Sequence, residues 1–467
     1  MRARALAATA LAVAAAAAWP AAASAHGLVG RADLPIPTWL FAYAACIVLV
    51  ASFAALSVLW KEPRFDSVRE RRLFRVPRWV DPLCGAIGVA IFVLIVYSGV
   101  AGNQEQAQNF APNVVYVHFW VGLVIVSVLL GDVFRAFNPW RAVGRAIGWI
   151  AARAGIRSPV RRPYPDRLGR WPTVATLLGF GWLELVYPET PQTLGWLCLG
   201  FALFQLAAMA VYGVERWGEN GDGFGVYYNV FARLAPLHRR DGVLYLRPPL
   251  TGAPGLPEVA GSVALLCTAI GITTFDGFSN GSVWASLGPD LTDVFHDIGF
   301  GVTAAGEAAD TVGLMVAVGL VTTFYHLGIR GMESVGGGHT RRELALKFAH
   351  SLAPIAWAYA VAHYFSLLVF NGQTIAYLIS DPLGNGSDVF GTADKTIDYG
   401  VISGRTIWYV QVAALVLGHV CGLILAHERA LKLYTRVRTA TRSQYWMLVV
   451  MVGFTSLGLW LLSAVRQ

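Results

Sequence analysis

Apolar runs of roughly twenty residues recur along this chain, and polar segments rich in arginine, glycine or aspartate separate them. A helix rises about 1.5 Å per residue, so about 20 apolar residues cross the hydrocarbon core of a bilayer. The pattern predicts ten such spans, at residues 36–60, 82–101, 113–135, 171–187, 192–212, 259–275, 304–328, 343–370, 404–427 and 443–464. We therefore expect an all-α fold, a polytopic membrane helical bundle with about ten transmembrane helices.

Residues 1–25 have the pattern of a secretory signal peptide. Two arginines precede an alanine-rich stretch that ends in Ala23-Ser24-Ala25, a small-x-small cleavage signal. Cleavage would leave residues 26–467 as a single transmembrane domain with an extracytoplasmic N-terminus. His26 would then offer an amine and an imidazole to one metal ion, although a histidine at a cleavage junction can also be incidental.

The basic residues are distributed as membrane topology requires. If the first span runs inward, the five inward loops hold 30 of the 34 Lys and Arg residues that follow residue 25. This positive-inside sorting predicts a multi-pass protein of the cytoplasmic (inner) membrane, with the lipid bilayer as its partner. A hydrophobic content of 56% and a mean hydropathy of +0.53 agree, and the sorting explains the net charge of +8 better than nucleic-acid binding does.

Three loops show local patterns. FGVYYNVFARLAPL, in the inward loop 213–258, has aromatic residues and leucines at helical spacing and predicts a helix on the cytoplasmic surface. RRDGVLYLRPP follows it and predicts a short Asp-Gly hairpin. LTDVFHDIG, in the outward loop 276–303, predicts an amphipathic turn, and the outward loop 371–403 is rich in Gly and Asp.

Six of the ten histidines lie in or at the ends of apolar spans, where ionisable groups are costly and point to function. They are His118, His326, His350, His363, His419 and His427. Helical rise predicts an outer layer with His118 and His363 and an inner layer with His326, His350 and His427, close to the level of Asp132.

The first interpretation of this pattern is a metal site. Imidazoles with carboxylates suit zinc or another divalent ion, and Gly418 and Gly422 would let the ninth span approach a neighbour closely around His419. In the outward loop, Asp293, His296 and Asp297 share one helical face. This arrangement is typical both of a metal site and of the solvent-exposed face of an interfacial helix. The five cysteines show no CxxC spacing, so neither disulfides nor a zinc ribbon is indicated.

Other interpretations of the histidines remain open. Haem b binds paired histidines, but His350 and His363 point about 220° apart on a straight helix unless Pro354 kinks it. Buried histidines also relay protons in transporters of small solutes, and single ones can simply hydrogen-bond across helices. The chain has no Walker A lysine motif, no GxSxG and no HExxH, so common soluble-enzyme chemistries have no local support.

Several segments resemble one known family. They are AHGLVGRADLPIPTWLF at 25–41, VHFWVGLVIVSVLLGDVFRAFNPWR at 117–141, AHSLAPIAWAYAVAHYFSLL at 349–368 and GHVCGLILAHERAL at 418–431. They are similar to actinobacterial membrane proteins labelled fenitrothion hydrolase, over nearly the whole chain. The resemblance implies a hydrolase of phosphotriester bonds in which metal-activated water attacks phosphorus and a nitrophenolate leaves. A small-molecule substrate or solute, and other membrane subunits, stay open as partners.

Overall fold

The protein is a bundle of helices. The structure is a computed structural model that describes residues 38–156, 162–187 and 189–464. The helices used below are α1 (Thr38–Leu59), α2 (Val80–Ala101), α3 (Phe110–Leu130), α4 (Val133–Phe137), α5 (Pro139–Arg153), α6 (Trp171–Leu185), α7 (Pro191–Tyr212), α8 (Val214–Asn220), α9 (Gly223–Ala232), α10 (Ser262–Ser279), α11 (Ser282–Asp297), α12 (Val302–Glu333), α13 (Arg341–Leu378), α14 (Gly404–Leu433), α15 (Val437–Ser443) and α16 (Tyr445–Ala464).

Seven helices in the described part of the chain are long and apolar enough to cross a membrane, namely α2, α3, α7, α10, α12, α13 and α14. The prediction of an all-α membrane bundle is therefore confirmed. The three other predicted spans coincide with α1, α6 and α16. With 15 residues, α6 is about 22 Å long, less than the roughly 30 Å of a hydrocarbon core. The predicted signal peptide and His26 lie outside the described residues.

Contacts between loops sort the bundle into two ends. At the basic end, which carries the predicted inward loops, the Trp60 carbonyl meets His427, and Lys347 lies 3.7 Å from Glu258. At the acidic end, the backbone N–H of Asn103 donates to Leu383 across 2.8 Å. The helices thus keep the loops of each predicted side together.

A three-stranded antiparallel sheet lies at the basic end. Its strands are β1 (Arg71–Arg75), β2 (Leu237–Arg240) and β3 (Val243–Leu246), in the order β1-β3-β2. Asp241 and Gly242 connect β2 to β3 with φ of 52° and 75°, as a type I′ turn requires, so the predicted hairpin is confirmed. The sequence analysis missed β1, whose partner β3 lies about 170 residues away.

The prediction that FGVYYNVFARLAPL lies on the cytoplasmic surface is wrong. This segment forms α9, and Phe224, Val226, Tyr228 and Phe231 are all buried. A helix that is apolar all round is stable only when other elements surround it, and α9 packs against α3 and α6. Both of its flanking segments lie at the basic end, so α9 enters the bundle from that end and returns to it.

The predicted span 343–370 is interrupted near its first histidine. A 3₁₀ turn at Ala349–Leu352 separates Arg341–Phe348 from Ala353–Phe370, and Pro354 occupies the first turn of the second segment. Proline is tolerated there because the first N–H groups of a helix have no intrahelical partner.

The predicted close approach through Gly418 and Gly422 is confirmed. A Cβ on Gly418 would lie 2.2 Å from the Ala358 Cβ and 2.7 Å from the Pro354 carbonyl oxygen, and one on Gly422 would lie 3.0 Å from the Ser351 oxygen. The two glycines therefore let the backbones of α13 and α14 pack against each other.

Candidate functional site: a buried carboxylate cluster

The structure does not bring the inner-layer histidines together. His326 lies on an exposed face of α12, whereas His350 is buried, with its ring against the backbone of Lys347 and Leu425. His427 is also buried, where Nε2 lies 2.8 Å from the Trp60 carbonyl oxygen and Nδ1 about 3 Å from the Gln444 amide. These contacts hold α14 against the ends of α1 and α15.

The remaining predicted ligands are also apart from one another. His118 lies between the carbonyl oxygens of Asn113, at 3.3 Å, and Gly372, at 3.1 Å. The Nδ1 atom of His419 lies 2.8 Å from the Leu415 carbonyl oxygen, within its own helix.

The outward-loop trio lies on α11, as the sequence analysis expected. Asp293, His296 and Asp297 are exposed there, and the His296 Nδ1 atom lies 3.0 Å from the Phe300 carbonyl oxygen. Among residues 38–156, 162–187 and 189–464, no group of three or more His, Cys, Asp or Glu side chains is arranged to hold a metal ion. Metal binding by these residues stays a prediction.

His363 belongs to a polar group inside the bundle. Its Nε2 atom lies 2.9 Å from the Oδ2 atom of Asp276 on α10, and the Tyr364 hydroxyl donates to that oxygen across 2.7 Å. Asp276 is 1% exposed, and the Asn280 side chain caps its backbone carbonyl at 2.8 Å. Successive residues of α13 therefore contact one buried carboxylate of α10.

Glu184 links Asp276 to a third carboxyl group, that of Glu189. Glu184 of α6 is within electrostatic range of Asp276 and Glu189, and its Oε2 atom is buried without a hydrogen-bond partner among the described residues. The Tyr116 hydroxyl donates to Glu189 Oε1, while Glu189 Oε2 is buried and lacks a partner in the described chain. We call Glu184, Glu189 and Asp276 the carboxylate cluster.

Burial affects the ionisation of Glu189, which lies in the connection between α6 and α7. Loss of solvation raises its pKa to about 7, although the hydrogen bond from Tyr116 acts in the opposite direction. Glu189 can therefore gain or lose a proton near neutral pH.

Local helix geometry positions the side chains around the cluster. Residues Asn113–Gly122 of α3 form a π-helix, a rare conformation that often marks functional sites. It carries Tyr116 as well as Trp120, whose ring stacks on Tyr227 of α9 at 5.2 Å between centroids. The inserted helix α9 thus closes the cluster from the basic end.

Polar residues continue from the cluster towards the basic end. Tyr227 is within electrostatic range of Glu184, and the neighbouring Tyr228 is within range of Asp222, which caps the start of α9. Asp222 is buried and in turn within range of Asp132, which accepts a hydrogen bond of 2.8 Å from Asn229. These polar side chains therefore form a series of neighbours between the cluster and the basic end.

Buried hydrogen bonds hold Asp222 in place. Asn138 and the Trp140 indole each donate to its Oδ2 atom across 2.7 Å, and the Gly225 backbone N–H donates to Oδ1 across 3.2 Å. Asn138 and Trp140 belong to the NPWR segment, which ends one helix and starts α5.

From the sequence, Asp276 falls at the start of the outward loop 276–303, and neither Glu184 nor Glu189 was predicted to be functional. A signal was present, because Glu184 interrupts the apolar run TLLGFGWLELVY and an ionisable residue within a span indicates a functional site. Within the spans only histidines and Asp132 were singled out, although carboxylates at the same depth are just as costly to bury.

Comparisons of this chain with protein-family models, with curated proteins and with solved structures found no match in any of the three. The fold by itself defines the class, an α-helical multi-pass membrane protein with ionisable groups buried between its helices.

Proposed function

We propose that this protein is a membrane transporter in which the carboxylate cluster, together with His363, binds and releases protons as a small solute crosses the bilayer. The observation that carries this proposal is the proximity of Glu184 to both Asp276 and Glu189 in the helix bundle. Intramembrane carboxylates and histidines that face the interior of a bundle are typical of proton relays in transporters.

The energetics of burial support proton exchange at the cluster. If all three carboxylates were ionised in a medium of low dielectric, Asp276 and Glu189 would each repel Glu184, and every one of the three groups would also have lost its hydration. Protons on some of these groups, or a positive charge on His363, relieve this repulsion. A change in access to water or in the bound solute then changes how many protons the cluster holds.

The surroundings of the cluster support access from both sides. At the acidic end, the Gln106 side chain donates to the Glu189 carbonyl across 2.9 Å, close to the loop surface. Towards the basic end, Tyr227 and Tyr228 of α9 extend the series of polar neighbours as far as Asp222. A short helix that enters and leaves a bundle from the same end is compatible with a membrane only where other helices or a water-filled cavity surround it.

Proton flux tests the proposal. Purified protein in liposomes that contain a pH-sensitive dye is given a membrane potential with potassium and valinomycin, and acidification of the lumen is recorded. We expect Asp276→Asn and Glu184→Gln to lower the flux at least about tenfold, because neither amide exchanges a proton. Asp290→Asn, on the exposed face of α11 at the same end, serves as the matched control.

Infrared spectroscopy tests the protonation of the cluster independently of the proton flux. Infrared spectra at neutral pH should contain a band from a protonated carboxyl group that Glu184→Gln or Asp276→Asn removes. Wild-type flux in both cluster variants, provided that they elute as monodisperse protein, would contradict the proposal.

Phosphotriester hydrolysis, implied by the resemblance to fenitrothion hydrolase, is a second proposal. One observation favours it, since His363 beside the buried Asp276 forms an imidazole–carboxylate pair of the kind that activates water. Release of nitrophenolate from fenitrothion by purified protein, with and without zinc, tests it, and His363→Ala should abolish the release. Metal analysis and an absorption spectrum distinguish bound zinc from haem b, which gives a Soret band.

The orientation in the membrane is also a proposal. The arginines at the basic end support a cytoplasmic position for that end and an extracytoplasmic mature N-terminus in the inner membrane. Single cysteines placed at the exposed positions Asp241 and Val389, in a chain without its native cysteines, should differ in labelling by a membrane-impermeant maleimide. Labelling of the Asp241 position alone in intact cells would contradict this orientation.

A further inference from the structure

A cavity of about 540 Å³ opens at the basic end, apart from the carboxylate cluster. Its walls come from the loop after α3, from α5, from α9 and from the β2–β3 hairpin. Six arginines line it, namely Arg135, Arg141, Arg145, Arg233, Arg239 and Arg247.

Too few carboxylates face these arginines to neutralise them. Asp81, Asp132 and Asp241 line the same cavity, and Glu215 lies beside it. Glu70 interacts with Arg247, while it also pairs with Arg240 outside the cavity. Counting Arg240, seven guanidinium groups face these five carboxylates, which leaves an excess of two positive charges even if every acid is ionised.

The excess is concentrated around Glu215. Arg135, Arg141 and Arg145 approach its carboxylate to 3.1, 3.1 and 2.8 Å, so that three cations share one anion. Burial opposes ionisation of Glu215, but the pKa of this carboxyl still lies below its usual range, because Arg141 and then Arg145 and Arg135 outweigh the loss of solvation.

On the opposite wall Arg239 pairs with Asp81, whereas backbone carbonyls hold Arg233 and Arg247. Arg247 donates to the carbonyls of Ala235 and Arg233 at the end of α9, and Arg233 donates to the Gly255 carbonyl across 2.6 Å. Carbonyl oxygens orient a guanidinium group but do not neutralise it. The cavity therefore has fixed cationic groups on both sides.

We propose that this cavity binds an anion through its phosphate group. A phosphate carries up to two charges and several acceptor oxygens, and the planar guanidinium group matches that geometry with paired N–H donors. A carboxylate presents only two oxygens and one charge, so it would leave part of the excess uncompensated. The site is distinct from the carboxylate cluster and does not depend on the transporter proposal.

Two sources can supply this phosphate. The cavity lies at the end of the bundle where lipid headgroups meet the protein, and basic pockets between transmembrane helices bind anionic headgroups. A soluble phosphorylated metabolite offers the same chemistry from the aqueous side.

Binding experiments on the full-length protein in phosphatidylcholine nanodiscs distinguish the sources. One arm measures binding of radiolabelled inorganic phosphate at constant ionic strength, with acetate as the competing anion. The other arm uses native mass spectrometry to count retained phosphatidylglycerol against phosphatidylcholine. Phosphate binding that acetate does not displace supports a soluble ligand, and selective retention of phosphatidylglycerol alone supports a lipid headgroup.

Substitutions locate the site. We expect Arg141→Gln and the more exposed Arg145→Gln each to weaken the binding at least about tenfold. Arg153→Gln is the matched control, because Arg153 lies on the same helix, stacks over Trp149 at 4.3 Å and does not line the cavity. Arg145→Gln keeps the test decisive if Arg141→Gln fails to fold.

Either of two results would overturn the proposal. One is the absence of both phosphate binding and phosphatidylglycerol retention in the wild-type protein. The other is an equal loss in Arg153→Gln and Arg145→Gln, which would assign the binding to the general charge of the basic end.

Discussion

Replacement of Glu189 by glutamine should change stability in a pH-dependent way. Glu189 is 8% exposed, and burial raises the pKa of its carboxyl from an ordinary value of 4.5 to about 7. The folded protein therefore holds this proton more tightly than the unfolded chain does. As the pH rises from about 4.5 to about 7, the unfolded state loses the proton first, so the free energy of unfolding falls. Above that window the loss of stability, which is the penalty for ionising the buried carboxyl group, is constant.

The pKa shift sets the magnitude. A shift from 4.5 to about 7 corresponds to about 3 kcal/mol when the penalty is fully developed. At pH 8 almost all of it is present, whereas at pH 5 less than about 1 kcal/mol is. Glutamine has no such penalty, so the stability of Glu189→Gln relative to wild type should improve by about 2.5 kcal/mol between pH 5 and pH 8.

Unfolding of the detergent-solubilised protein at the two pH values measures this difference. In the variant, the new amide NH₂ is buried where Glu189 Oε2 has no partner, and this burial lowers stability. The lowering is the same at both pH values, so it cancels when the two measurements are subtracted. Glu105→Gln, at an exposed position of the same end, is the control. A stability difference between Glu189→Gln and wild type that is independent of pH would refute the reasoning from burial.

Two further predictions concern helix packing. Gly418→Ala should destabilise the protein by about 1–3 kcal/mol, because its Cβ would overlap the backbone of α13. Gly200→Ala, with open space around it, should be neutral or slightly stabilising. Thermal unfolding in detergent measures both variants, and equal effects would contradict the close approach. His427→Ala should lower the free energy of unfolding by about 2 kcal/mol through its lost hydrogen bonds. His326→Ala should lower it by less than about 0.5 kcal/mol, because that side chain is exposed. The reverse order would contradict the placement of the two histidines.

Local pattern was sufficient for much of the fold. Runs of apolar residues located the seven described helices that are long and apolar enough for a membrane, because hydropathy and helical rise act on neighbouring residues only. The Asp241–Gly242 turn and the glycines of α14 were also predictable, since a positive φ and a missing Cβ are properties of single residues. None of these features depends on which helix lies beside which.

Tertiary structure decided the candidate site. The sequence places His326 and His427 at similar depth, yet one faces outward and the other is buried, since the neighbours of a helix face are set by packing. For the same reason α9 lies inside the bundle, and Glu184 meets Asp276 although about 90 residues separate them. Local composition alone specifies which segments are helical and apolar enough for a membrane. Only the packing of those helices decided which ionisable side chains share a buried space, because electrostatic interaction depends on distance in three dimensions and not on separation along the chain.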